Sequence, residues 1–218
     1  MNKIIIYGVG KLAEFIYYSF THDSKYEVSA FCVDEDFLQA AGESVFGLPI
    51  LSFNDVLLKF PPDSYLMHIA VGRNSARSFL YHKVEQAGYQ FANYICSKAN
   101  VWPDLVIGKN VFIDQASVIQ PFVTIENNCI LIKAGIGHHC SIGSDSLLSG
   151  TSIAGNVKIG KECFLGLNSA VKENICIGNY NIVGGSCFIG KDTVDYTLTY
   201  QDRSVQKKKI CKNLVLFK

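Results

Sequence analysis

From Ile107 to Ile189 the apolar positions recur on a beat of six. The leaders are Ile107, Ile113, Ile119, Ile125, Leu131, Ile136, Ile142, Leu148, Ile153, Ile159, Leu165, Val171, Ile177, Val183 and Ile189. The spacing slips to five only twice, around Lys133–Gly135 and Gly150–Ser152. Gly follows the leader in eight of the fifteen segments, as at Gly137, Gly143 and Gly160. Four places after the leader stands a small or β-branched residue, such as Val111, Cys129, Cys140 or Cys163. Helices repeat near 3.6 residues and half-buried strands near 2, so neither accounts for this pattern. A six-residue repeat predicts a β-helix, each segment one short strand and a corner, three segments to a turn. The leaders fill the bore, and Gly after the leader leaves room that a Cβ would occupy. Fifteen segments make five turns, a prism about 24 Å long at the spacing of stacked strands. Ile95–Asn100 and Val101–Val106 keep the beat without Gly and are expected to wind into the first coil. After Val194 the beat stops. Tyr196–Tyr200 reads as a closing strand and Leu214–Phe217 as an apolar cap, because stacked repeats need closed ends.

The first 94 residues follow another rule. Lys3–Tyr7 is an apolar strand, Gly8-Val9-Gly10 a turn and Lys11–Phe20 a helix. Tyr26–Val33 is a second strand ending at Asp34, Phe53–Phe60 a helix stopped by Pro61-Pro62, and Tyr65–Val71 a further strand. Ala76–Ala87 reads as a helix capped by Ser75 and ended by Gly88, with Phe91–Ile95 returning as a strand. Alternating strands and helices imply a small parallel sheet, a Rossmann-like half. The expected organisation is therefore α/β over residues 1–94, an all-β coil over 95–194 and a tail over 195–218.

Composition narrows the function. A formal charge of +1 with 18% charged residues leaves no electrostatic footprint for nucleic acid. No apolar run approaches the ~20 residues of a membrane span, and the start of the chain lacks the layout of a signal peptide. Of the eight cysteines, four fall at the small-residue position of the coil and none forms a CxxC pair. They read as reduced core side chains in a cytoplasmic protein rather than as disulfides or metal ligands.

Two regions carry candidate chemistry. Gly8-x-Gly10-x-x-Ala13 leads from a strand into a helix, whose first N–H groups and dipole suit phosphate. Asp34 and Gly72-Arg73-Asn74 end neighbouring strands on the same edge, the side on which open α/β sheets bind ligands. That convergence favours a nucleotide over a bare tight turn. Lys11 suits either a phosphate contact or an ordinary exposed helix position. His138 and His139 follow the leader Ile136 by two and three places, which puts them on a corner facing outward. Imidazole is the side chain best suited to take a proton near neutral pH. The same spacing also suits a plain surface or interface pair. Nothing nearby completes a metal site.

At these residues the chain resembles the bacterial sugar acetyltransferases grouped with sialic-acid O-acetyltransferase and UDP-bacillosamine N-acetyltransferase. The resemblance is carried by Ile4–Gly8, Cys32-Val33-Asp34, Ile69–Asn74, Ile136–Gly143 and Ala154–Gly160, and runs to about Val194. It implies a Rossmann-like domain followed by a left-handed parallel β-helix, and transfer of acetyl from acetyl-CoA to an amine or hydroxyl of a sugar, often nucleotide-linked, with no metal. By the same resemblance His138 is the general base, the N–H of Gly155 supports the thioester carbonyl, and His139 stands where some relatives carry a carboxylate. CoA is expected along Gly155–Asn168, including Asn156, Lys158, Lys161, Gly166 and Asn168, with Lys207–Lys209 also available to its phosphates. The nucleotide sugar is expected at Gly8, Gly10, Lys11, Asp34, Gly72, Arg73 and Asn74, and the assembly is expected to be a homotrimer with CoA between prisms. The chain departs from the pattern at Lys11-Leu12, around Ser146 and in its tail, which lacks the usual Gly-x-Pro-Ala. The expected function is N-acetylation of a nucleotide-linked amino sugar for surface glycans, with sugar O-acetylation and a non-catalytic trimeric scaffold as the other readings.

Overall fold

A side chain that returns to the same azimuth every sixth residue stacks on its counterpart one turn later, and the strands pair accordingly. The computed structural model describes residues 2–201. Three parallel sheets of seven, six and five short strands form the faces of a prism. One face starts at Tyr94–Ile95, the next at Asn100–Val101 and the third at Val106–Ile107. Residues 95–106 thus wind into the first coil. Most partners lie eighteen residues apart, as in Val106↔Thr124, and the slips at Lys133 and Gly150 shorten two turns, as in Val118↔Gly135. The leaders from Ile113 to Ile189 are buried in one core, with Cys129, Cys140, Cys163 and Cys187 beside them. The stacked parallel faces fit a left-handed β-helix.

Gly after the leader is explained by proximity. A Cβ on Gly143 would lie 2.6 Å from the carbonyl carbon of Gly160 in the next coil. The left-handed corner falls three places after the leader instead, at Asn110, Asn128, His139, Asn156 and Asn168 among others. The coil also continues past Val194: Thr193 bridges Ile177, and Leu198–Thr199 pairs with Ile182–Val183. The expected apolar cap Leu214–Phe217 and the Lys207–Lys209 run lie outside the described residues.

Ahead of the prism stands a five-stranded sheet, β1 (Asn2–Tyr7), β2 (Tyr26–Val33), β3 (Ser44–Val45), β4 (Leu48–Ser52) and β5 (Tyr65–Ile69), in the order β3-β4-β2-β1-β5. All pairings are parallel except β3 with β4. The helices are α1 (Lys11–His22), α2 (Glu35–Ala41), α3 (Phe53–Lys59) and α4 (Asn74–Gln86). Three details differ from the sequence expectation. The helix expected over Ala76–Ala87 begins at Asn74 with Arg73 as its cap, so Ser75 lies inside it. Helix α2 was not expected. The strand expected over Phe91–Ile95 is a single bridge from Phe91 to Met67, because Tyr94–Ile95 already belongs to the prism.

The two parts share a core. Phe112, Ile130 and Leu147, outward residues of one prism face, are buried against the cluster of Ile4, Phe20 and Phe31. Beside it runs a polar seam. Asn110 accepts from Ile69 N at 2.8 Å and donates to Asn128 at 2.6 Å, and Asn128 donates to Asp145 at 2.6 Å. Arg77 is fully buried across this seam. Its guanidinium donates to the carbonyls of Val71 (2.9 Å), Gly72 (3.1 Å), Asn128 (3.0 Å) and Asp145 (2.6 Å), and to Asn74 Oδ1. Burial pushes it down to about 10.

Candidate active site

The corner at His138 is built by its neighbours in the coil. Ile136 drops into the bore, and Gly137 passes so close to the next coil that a Cβ would meet Ala154 at 2.5 Å. His138 and His139 are then exposed, and His139 takes the left-handed conformation (φ 58) that returns Cys140 to the core. The corner is pinned from both sides: His138 N donates to Gln120 Oε1 at 2.9 Å, and Asn156 N donates to the His138 carbonyl at 2.8 Å.

The two imidazoles meet edge to face, with Nδ1 of His138 3.0 Å from Nδ1 of His139. One proton lies between those nitrogens, so one ring donates and the other accepts. When His138 donates, its Nε2 carries the free lone pair of a base. The His138 ring lies over Gly155, where a Cβ would sit 2.6 Å from Cε1 and 2.8 Å from Nε2. Among the described residues nothing accepts from the Gly155 N–H. A groove of about 380 Å³ opens here, lined by Val118, Gln120, Gly137, His138, Ser152 and Gly155. A proton acceptor and an unpaired amide thus border one cleft, which is what acyl transfer needs.

The other residues expected to hold the cofactor are spread around the prism. Asn156 shares the His138 corner and donates to Asn174 at 2.8 Å. Lys158 is exposed on the next face. Lys161, on the following corner, holds its Nζ 5.3 Å from the Tyr180 ring centroid, and Tyr180 stacks on Tyr196. Gly166 and Asn168 flank the third corner. The structure therefore brings Gly155 and Asn156 to the histidines and leaves the remaining four apart from them along the chain's winding.

The N-terminal set also divides. Gly8 has φ +125 and a Cβ there would lie 2.8 Å from Ala70 O, so only Gly fits. Gly10 caps α1 without any side-chain bond. Asp34 accepts from Tyr7 OH at 2.6 Å and from Lys83 Nζ, both at Oδ1. Burial alone would raise this carboxyl, but the bonds from Lys83 and Tyr7 and the Lys83 charge outweigh it and hold it below its ordinary value. A cavity of about 320 Å³ joins Tyr7, Gly8, Asp34 and Val71 with the exposed rings of Phe37 and Phe79. Gly72 approaches Leu12, and Arg73 is exposed beside a second cavity against Glu162 and Tyr180. Asn74 is turned to the prism, donating to Cys163 O at 2.9 Å. Lys11 is engaged in a surface pair with Glu14 at 2.7 Å. Sequence reasoning missed Gln120, Lys83, Phe37 and Phe79. Only Gln120 left a signal, standing one turn of eighteen residues before His138.

Residues 90–184 match the family model described as the GMPPB C-terminal domain. The crystal structure of PerB from Caulobacter crescentus, in complex with CoA and GDP-perosamine, superposes with a TM-score of 0.82 at 25% identity, covering 91% of this chain and 93% of that one. In fold the chain is similar to this perosamine N-acetyltransferase over nearly its whole length. The acetyltransferase domain of PglB from Neisseria gonorrhoeae, solved with acetyl coenzyme A, shares this fold (TM-score 0.79, 20% identity, 91% and 96% covered). So does WeeI from Acinetobacter baumannii (TM-score 0.72, 21% identity, 91% and 96% covered). Among curated proteins, the acyl-(acyl-carrier-protein)–UDP-N-acetylglucosamine O-acyltransferase of Burkholderia thailandensis is 31% identical over 74 residues, 34% of this chain. The match spans 28% of that relative's length.

Proposed function

We propose that this protein is an acetyl-CoA-dependent N-acetyltransferase acting on a nucleotide-linked amino sugar for surface glycans. The observation that carries the reading is the His138 ring lying over Gly155 and its unpaired N–H at the edge of one groove. His138 Nε2 takes the proton of the acceptor amine as that amine attacks the thioester carbonyl, and passes it to the departing sulfur. The Gly155 N–H donates to the carbonyl oxygen while it carries negative charge. His139, holding Nδ1 of His138 at 3.0 Å, fixes the ring in the tautomer this requires. The sheet of β1–β5 acts as a Rossmann-like half, holding the nucleotide at Gly8, Gly10 and Asp34. The chain works as a homotrimer, with CoA between neighbouring prisms, which is how the scattered Lys158, Lys161, Gly166 and Asn168 reach cofactors on more than one side. The structure of PerB, solved with CoA and GDP-perosamine, supports this substrate class.

The test is release of free thiol from acetyl-CoA in the presence of amino-sugar nucleotides, with product identified by mass. Wild-type protein transfers acetyl to the amine and His138→Ala does not. Transfer by His138→Ala at the wild-type rate removes the base assignment. Transfer only to hydroxyl acceptors replaces the reaction by O-acetylation. Absence of transfer to any sugar, free or nucleotide-linked, leaves the fold as a scaffold.

A further inference from the structure

Two places after a leader a backbone N–H turns out at the corner of the coil, and side chains of adjoining coils cap several of these amides. Lys109 N donates to Asn127 Oδ1 at 2.8 Å, Lys161 N to Asn179 Oδ1 at 3.0 Å and Asn179 N to Asp195 Oδ1 at 2.8 Å, each acceptor standing in the following coil. His138 N and Ser144 N are capped from the preceding coil instead, by Gln120 and Glu126. Wherever the cap comes from the following coil, the residue before the amide is a glycine: Gly108, Gly160 and Gly178. A Cβ on these glycines would lie 2.3, 2.7 and 2.8 Å from the capping oxygen. The cap therefore occupies the place of the missing methyl.

Gly155 holds the same position on its own corner, two places after Ile153, and its amide has neither cap among the described residues. In the preceding coil, the place from which Gln120 and Glu126 reach their amides is held by Gly137, which has no side chain to offer. In the following coil, the place of Asn127, Asn179 and Asp195 is held by Glu173. The residue before the Gly155 amide is Ala154. By the geometry of the three glycine corners, its methyl stands where a capping oxygen would have to lie. A cap would matter to the chemistry, because an amide bonded within its own fold must give up that bond before a thioester oxygen can use it. We propose that Ala154 is a positioning residue that keeps the Gly155 N–H open for the thioester oxygen by excluding a cap from the next coil. This rests on the acetyl-transfer reading above and deepens it, by naming what holds the donor free.

The experiment compares the full chain carrying Glu173→Asn, Ala154→Gly, or both, the pair recreating the arrangement of Gly160 and Asn179. Amide exchange at Gly155 is followed by NMR on glycine-labelled protein. Turnover is followed by thiol release from acetyl-CoA in the presence of amino-sugar nucleotides, each measurement beside a melting curve. The double variant is expected to slow exchange at Gly155 roughly ten-fold, the scale of one neutral hydrogen bond, and to lower kcat roughly hundred- to thousand-fold without melting earlier. Glu173→Asn alone is expected to keep wild-type exchange and kcat, because the Ala154 methyl still fills the place of the oxygen. Ala154→Gly alone is expected to fall well short of the double variant in both. Ala154→Gly with Glu173→Asp, patterned on Gly178 and Asp195, repeats the test should the asparagine pair not fold. Slowing by Glu173→Asn alone as large as in the double variant overturns the role of Ala154. So does unchanged exchange in both paired variants, and either result leaves the acetyl-transfer reading standing. Slowed exchange with wild-type kcat shows that the Gly155 N–H takes no part in the transfer, and the oxyanion assignment falls together with this proposal.

Discussion

Gly155→Ala isolates the geometry of the transfer site from the stability of the coil. An ideal Cβ on Gly155 lies 2.6 Å from His138 Cε1, 2.8 Å from Nε2 and 3.1 Å from Nδ1, whereas ordinary contact begins at 3.4 Å. The ring must retreat by the difference, about 0.8 Å, a scale of misplacement that costs on the order of a hundred-fold in rate. That corresponds to about 2.7 kcal/mol of activation free energy. His138 is exposed, so its ring retreats into solvent and the fold loses little. Gly143→Ala makes the opposite case: its Cβ meets backbone of Gly160 and Lys161 at 2.6–2.7 Å, which cannot give way. The assay is thiol release at saturating acetyl-CoA, read beside a melting curve. Gly155→Ala is expected to lose about a hundred-fold in kcat with an unchanged melting temperature. Gly143→Ala is expected to melt earlier. A Gly155→Ala variant with wild-type kcat, or one that melts as early as Gly143→Ala, refutes the placement of the base over this glycine.

Other perturbations reach the rest of the molecule. Arg77→Met leaves the carbonyls of Val71, Gly72, Asn128 and Asp145 without their buried donor; a loss of about 3–5 kcal/mol is expected from urea unfolding. His68 is fully buried, and desolvation, helped by the nearby Arg77 charge, pushes it from 6.5 down to about 4 despite its bond to the Ala92 carbonyl. Because the folded value is depressed, the unfolded chain binds the proton first as the pH drops. Stability is therefore complete above 6.5 and lost progressively toward pH 4, by roughly 3 kcal/mol at the lower end. His68→Asn should flatten that slope, and an unchanged slope would contradict the assignment. Among the described cysteines Cys176 is exposed, whereas burial pushes the thiols of Cys129 and Cys163 up to about 12 and about 11. Mass-mapped labelling with a thiol reagent should reach Cys176 first, before the protein is unfolded.

The prism was legible because a narrow bore admits one kind of side chain at one azimuth, and Ile113 through Ile189 obey that rule without exception. The left-handed corner three places after the leader went unread, although it is rich in Asn, which tolerates that conformation better than most residues. Helix α2 escaped notice because none of its residues is buried, so it has no apolar stripe to betray it. The start of α4 shifted to Asn74 because a carbonyl of the prism, Cys163 O, holds that side chain. Arg77 looks like any helix arginine in sequence; its decisive partners stand 51 and 68 residues away. In the site, the histidine pair could be named from its place on the corner. The facing of the two rings depends on φ 58 at His139, and the engagement of Asp34 by Lys83 on packing between α4 and the sheet edge.

The buried guanidinium and its ladder of amides leave no hinge between the sheet and the coil. Opening one would tear the buried Arg77 charge from the carbonyls of Asn128 and Asp145 at once. An enzyme framed this rigidly cannot close its halves around a substrate. For the transfer proposed here, the travel must come from the tethers of the reactants themselves, the long thiol-bearing arm on one side and the diphosphate on the other. Turnover should then track the span between phosphate and amine in the acceptor more closely than the viscosity-sensitive motions that govern lid-bearing enzymes.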